Sequence, residues 1–179
     1  MKDAILDAAE SRARLAGYNG FSFRDLAEDV GITSASVHYH FPTKEDLAEA
    51  LTQRYVDRTA DYLGDPAALR PRAAVKHLGA MFIRANETED RMCLCGLLAA
   101  ESGGLPPPVR PRVAAFFDLL VKWLEVALRP AASAPRAMEI VAAFEGGLLI
   151  ARVKKDPAIL RGIVTEIAKR VEDRGAGLS

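Results

Sequence analysis

The stretch "GITSASVHYHFPTKEDL", residues 31–47, holds two of the chain's three histidines, one on each side of a tyrosine and close to Thr33, Ser34 and Ser36. Imidazoles ligate metals and move protons, and hydroxyls beside them suggest nucleophilic chemistry. The spacing argues against both. His38 and His40 are two apart, which on a helix is a rotation of roughly 200°, so they cannot close on one ion. Zinc-binding pairs on a helix sit at i, i+4, and no third ligand is near in sequence. What such a set suits is recognition, because short hydroxyls, imidazoles and a phenol fit phosphate oxygens and base edges. His77, alone on an apolar helix, reads as structural. No G-x-S-x-G elbow, Walker loop or dinucleotide fingerprint occurs, and "GGLPPP" is a helix breaker. Neither an enzyme, nor a metal site, nor a cofactor is expected.

These residues need elements to hold them. The 179 residues are half apolar and 27% charged, with a formal net charge of zero, an ordinary globular composition with material for a core. No segment is long and apolar enough to span a bilayer, and "MKDAILDAAE" lacks the apolar run of a secretory signal. Two cysteines make no disulfide framework, so a cytoplasmic location is expected. Ala, Leu, Glu and Arg abound, all good helix formers, and no alternating β-branched run appears. Glycines and prolines punctuate the chain where helices would stop, notably at Gly17, Pro66, Pro71, "GGLPPPVRP", "RPAASAP" and Pro157. The expectation is an all-α chain of about nine helices.

The first third is the most legible. Ile5, Ala8, Ala9, Ala13 and Ala16 follow a helical period closed by Gly17. Ser22 can cap a second helix with Asp25 three residues on, and Thr43 can cap a long helix with Asp46 likewise. Between them a short helix starts after Thr33 and ends near Phe41. Ala27, Gly31 and Val37 give a small residue at a helix contact, a turn residue tolerant of positive φ, and one β-branched plug. This spacing predicts a helix-turn-helix, which presents its second helix to the DNA major groove. Val37 and Phe41 point inward, leaving Thr33, Ser34, Ser36, His38, Tyr39 and His40 outside. Residues 1–60 carry seven Lys/Arg against ten Asp/Glu, which weighs against nucleic acid. No acid lies between Asp29 and Glu45, however, and Arg24 and Lys44 flank the polar set. The acids are expected to face away.

"FSFRDLAEDVGITSASVHYHFPTKEDLAEAL" resembles the N-terminal domain of tetracycline-repressor (TetR) family transcriptional regulators, and a late "EGGLLIARV…DP" agrees with that family. The resemblance implies a three-helix DNA-binding domain over residues 1–46 and a helical-bundle domain for ligand binding and dimerisation over 47–179. It implies a homodimeric repressor on a palindromic double-stranded DNA operator, released by a small-molecule effector that alters the spacing of the two recognition helices. Thr33, Ser36, His38, Tyr39, His40 and Lys44 are carried over by position, Lys44 at the place of a phosphate-binding lysine, and with Arg24 and Ser34 from the reading of the residues themselves they form the expected DNA-binding set. Ser34 and Ala35 depart from the lysine and glycine common there, which removes one charged contact.

In the C-terminal part most large apolar residues are core. A family-like pocket would draw on Phe82, Met92, Cys95, Phe117, Leu120 and Trp123, and the scarcity of polar residues favours a mainly apolar effector. Ala143, Gly146 and Gly147, with Phe144, Leu148 and Ile150, fit a dimer seam made by the last two helices. Cys93 and Cys95 fall in "MCLCGLLAAE", apolar all round and expected to be a buried helix, where cysteine acts as a small hydrophobe. The sharper alternative is a regulator that senses electrophiles or oxidants through one of these thiols. A helical cysteine enzyme and a helix-turn-helix kept only for protein contacts are more remote readings.

Overall fold

The computed structural model describes residues 1–87, 90–129 and 134–173, and among them every regular element is helical. Nine α-helices follow in chain order: α1 Lys2–Ala16, α2 Phe23–Val30, α3 Ser34–His40, α4 Lys44–Leu63, α5 Pro71–Glu87, α6 Leu94–Ala100, α7 Val109–Ala127, α8 Ala134–Lys154 and α9 Ala158–Asp173. The expected break at "RPAASAP" falls largely on 130–133, outside the described residues. No described helix is long and apolar enough to cross a membrane.

The chain forms two compact units, Met1–Arg58 with Arg91–Phe116, and Thr59–Asp90 with Phe117–Ser179. The division therefore passes within α4 and α7, and the first unit takes in α6 as well as the N-terminal helices. Its reason is visible in side chains. Arg14 and Met92 exchange hydrogen bonds, Arg14 Nε to Met92 O at 2.7 Å and Met92 N to Arg14 O at 3.2 Å. Arg91 reaches the Ser11 hydroxyl at 3.2 Å. The core of this unit gathers Ile5, Ala9, Leu26, Val37, Phe41, Leu47, Leu51, Leu94 and Phe116.

The acids of α1 do not simply face away. Glu10 is buried and receives Arg58 at 2.8 Å and Arg54 at 3.3 Å, while Arg54 also meets Asp7 at 2.9 Å. The α4 arginines thus neutralise α1, because a buried carboxylate needs charged partners.

In the second unit α5, α8 and α9 pack on one another. Gly79 lets α9 approach, since a Cβ there would stand 2.5 Å from Val164. His77 is structural, as expected: its ring stacks on Tyr62 at 4.6 Å, its Nε2 pairs with Tyr62 O at 3.0 Å, and Tyr62 Oη donates to His77 O.

One expected helix is shorter than the sequence suggests. Met92 and Cys93 precede α6, and Cys93 caps it, its Sγ accepting from Gly96 N at 3.4 Å. Tyr55 Oη also donates to Cys93 Sγ at 3.9 Å, and burial drives the Tyr55 hydroxyl well above its ordinary pKa. The apolar run hid this start because a thiol can cap as a hydroxyl does. Both cysteines are buried thiols outside any disulfide.

Candidate nucleic-acid interface

Local chemistry builds the pair α2–α3 closely to expectation. Ser22 caps α2 reciprocally: its hydroxyl accepts from Asp25 N at 3.3 Å, and Ser22 N donates to the Asp25 carboxylate at 2.7 Å. The Ser22 hydroxyl also donates to the Asp25 carboxylate at 2.6 Å, and this bond, with the one from Ser22 N, holds the Asp25 pKa below the usual carboxylate range. Gly31 ends α2 in the left-handed region, φ 73° and ψ 36°, where a β-carbon is disfavoured. Thr33 caps α3, accepting from Ser36 N at 3.2 Å. Thr43 and Asp46 repeat the reciprocal cap at α4. Ala27 and Val37 are buried where the two short helices meet.

The polar set on α3 is exposed or half-buried, but its members are not equivalent. The Thr33 and Ser36 hydroxyls pair at 2.9 Å. His38 packs its ring edgewise on Phe23, centroids 4.6 Å apart, and its Nδ1 donates to Pro42 O at 3.3 Å. Tyr39 is 85% exposed, with His40 against its ring at 5.3 Å. Ser34 is half-buried at the start of α3, and Arg24 is exposed on α2. The acids nearest this face are engaged elsewhere, Asp29 with Arg12 Nη2 at 2.8 Å and Asp25 in its cap. Arg12 correspondingly lowers the Asp29 pKa through its hydrogen bond.

Lys44, at the start of α4, has partners within the unit. Its ammonium donates to Phe21 O at 2.7 Å and lies 4.6 Å from the centroids of both the Tyr18 and Phe21 rings. Its side chain is half-buried. A cation the sequence reading overlooked, Lys2, lies over Phe41 at 5.3 Å, close to the C-terminal end of α3. Only the fold brings it there, since nothing in the N-terminal pattern links position 2 to position 41.

The other expected sets divide. Met92 and Cys95 belong to the first unit and Phe82, Phe117, Leu120 and Trp123 to the second. Trp123 donates its indole N–H to Gly64 O at 2.9 Å, and Phe82 packs on Phe144 at 5.8 Å. In the second unit one cavity of about 240 Å³ runs between α8 and α9 beside Arg136, Ile140, Ala143 and Ile167, and another of about 380 Å³ lies beside Asn86, Asp90 and Arg152. None of the six expected pocket residues lines either. Of the seam residues, Phe144 and Leu148 are fully buried, and Gly147 accommodates Ile163 and Leu160 of α9. Ile150 is half-exposed, Ala143 and Gly146 partly so. The exposed apolar residues of α8 are Met138, Ala142, Leu149, Ile150 and Val153, with Gly146 half-buried among them. Because α8 is apolar nearly all round, its period does not say which side α9 covers.

Two short packed helices, a left-handed glycine between them, and a polar, acid-free outer face on the second define a helix-turn-helix regulator. Residues 5–51 match the family model for bacterial regulatory proteins of the tetR family, and residues 71–166 match the C-terminal domain of LmrA/YxaF-like transcriptional regulators. The chain belongs to the TetR family of transcriptional regulators. A TetR regulator from Legionella pneumophila is 32% identical over 95% of this chain and 96% of its own, with a TM-score of 0.86. One from Agrobacterium tumefaciens is 29% identical over 94% and 96%, with a TM-score of 0.87. The biofilm operon icaADBC negative regulator IcaR of Staphylococcus aureus is 41% identical over 49 residues, 27% of this chain. The match spans about a quarter of that relative's length, 26%.

Proposed function

We propose that the protein is a DNA-binding repressor that sits as a homodimer on a palindromic operator and leaves it when a small, mainly apolar effector binds. The observation that carries this reading is the α3 surface. Val37 anchors the helix from inside, and Thr33, Ser34, Ser36, Tyr39 and His40 stand outside with no acid among them. Arg24 and Lys2 supply positive charge for phosphates on either side. His38, held by Phe23 and Pro42, sets the rotation of α3, with Nε2 left for DNA. The IcaR name carries "negative transcriptional regulator", which supports repression over activation.

Dimerisation uses the exposed α8 stripe, since Leu149 and Val153 are 51% and 84% exposed and apolar patches of this kind mark interaction sites. The effector is recognised by apolar residues of the second unit, with Phe82, Phe117, Leu120 and Trp123 the candidates. It acts by binding the released state more tightly than the DNA-bound one. Titration of the protein with DNA from upstream of its own gene tests the whole reading. A salt-dependent complex on a palindrome is expected; no complex even at low salt would end the proposal.

A further inference from the structure

The corner between α1 and α2 is held from two sides. From α4, the Lys44 ammonium donates to Phe21 O at 2.7 Å and sits between the Tyr18 and Phe21 rings. From the end of α6, the Glu101 carboxylate accepts from Tyr18 N at 2.8 Å. Gly17 is shaped to this carboxylate: its φ is +74°, and a Cβ there would overlap Glu101 Oε1. Burial lowers the Lys44 pKa while Asp25 and Glu101 act to raise it, so the two charges feel each other across the corner. An ammonium hydrogen-bonded to a backbone carbonyl and set against two rings ties α4 to this corner. A carboxylate on a DNA-binding unit would, on charge alone, weaken DNA binding.

We propose that Lys44 and Glu101 form a clip that positions the α2–α3 pair, and that Lys44 is a positioning residue, not a phosphate contact. Lys44 fixes the corner to α4, Glu101 fixes it to α6, and α2 starts two residues after Phe21. The proposal rests on the DNA-binding reading above for its effect on DNA, but the clip itself is observable without DNA.

The test compares the full-length wild type with Lys44→Met, Glu101→Gln and Gly17→Ala, at a temperature where circular dichroism shows each folded. Backbone amide exchange is followed at residues 17–21, and affinity is measured for the DNA upstream of the protein's own gene and for a scrambled fragment. Faster exchange at 17–21 is expected in all three variants. Loss of one buried, charge-assisted hydrogen bond should weaken the specific complex about fivefold or more, with scrambled DNA and the salt slope unchanged. Glu101→Gln should weaken specific binding although it removes a negative charge. The double variant Lys44→Met/Glu101→Gln should be scarcely worse than the worse single one, as the two act on one corner. The clip is overturned if exchange at 17–21 stays at the wild-type rate. So is the role of Lys44 if its loss lowers the magnitude of the salt slope by about 1.8, one phosphate from each half-site of the proposed dimer, or that of Glu101 if its loss tightens both DNAs. A wild type that binds no DNA defeats the repressor reading alone, and exchange then decides the clip.

Discussion

At the residue scale, glycines and histidines of similar appearance have different physical roles. Gly31 has open space around its missing β-carbon but a left-handed backbone, φ +73°. Gly31→Ala should therefore cost about 1 kcal/mol from backbone strain alone, seen as a lower urea midpoint with an unchanged slope. Gly79 has an ordinary helical backbone but no room, with Val164 in the way. Gly79→Ala should cost about 1–3 kcal/mol through overpacking of α5 against α9, so the two midpoints should differ in cause and, on repacking Val164→Ala, in rescue. On α3, His38→Ala removes the ring contact with Phe23 and should lower the melting temperature as well as DNA affinity. Tyr39→Ala, at a position 85% exposed, should leave melting within about 0.5 kcal/mol of wild type while weakening DNA binding. Equal melting losses in both variants would contradict this division. Asp25 adds a pH dependence. Its folded pKa is depressed by Ser22, so its contribution is present above the ordinary carboxylate pKa and fades as pH falls through the folded value. The gap between the urea midpoints of wild type and Ser22→Ala should accordingly narrow as pH falls below about 4, down to the part that the Asp25 N–Ser22 hydroxyl bond contributes.

At the element scale, the N-terminal helices were legible because their signals are local. Ser22–Asp25, Gly31, Thr33 and Thr43–Asp46 each act within three or four residues, and each cap or turn formed where its chemistry required. What the sequence could not show depends on distant chain. Lys44 reads as a free cation until Tyr18 and Phe21 are folded around it, and Cys93 reads as helix interior until its sulfur turns back to Gly96. The same limit governs α8. An apolar helix has no preferred face in sequence, and only α9, packing over Gly147, leaves Leu149 and Val153 outside. If that stripe is the dimer seam, Leu149→Glu/Val153→Asp should give a folded monomer by sedimentation, with helical content unchanged, because both positions are exposed. Phe144→Ala should instead destabilise the unit by about 3–5 kcal/mol, since its ring is fully buried against Phe82. A double variant that stays dimeric would place the seam elsewhere.

At the scale of the whole molecule, the electrostatics look unfavourable for a DNA-binding protein: net charge is zero, and residues 1–60 carry three more acids than bases. The structure reduces this conflict without removing it. Glu10 and Asp7 are neutralised by Arg54 and Arg58, Asp29 by Arg12, and Glu49 by Arg112 at 3.0 Å. Those arginines are then unavailable to phosphates, and the Lys44 ammonium is hydrogen-bonded to Phe21 O. Arg24 is exposed on α2 and Lys2 lies over Phe41, which would give the proposed dimer four cations for phosphates. Four neutralised phosphates correspond to a slope of log affinity against log salt of about −3.6. Raising salt from 50 to 200 mM should then weaken binding roughly a hundredfold, far less than for a repressor with a strongly basic surface. Arg24→Ala should lower the magnitude of the slope by about 1.8 in the dimer, one phosphate from each half-site. A measured slope steeper than about −7 would mean that the paired arginines leave their acids to meet DNA, and would undo this account of how a neutral chain binds a polyanion. A slope near the expected value would place recognition mainly in the hydroxyl, phenol and imidazole groups of α3, whose contacts salt does not screen in this way.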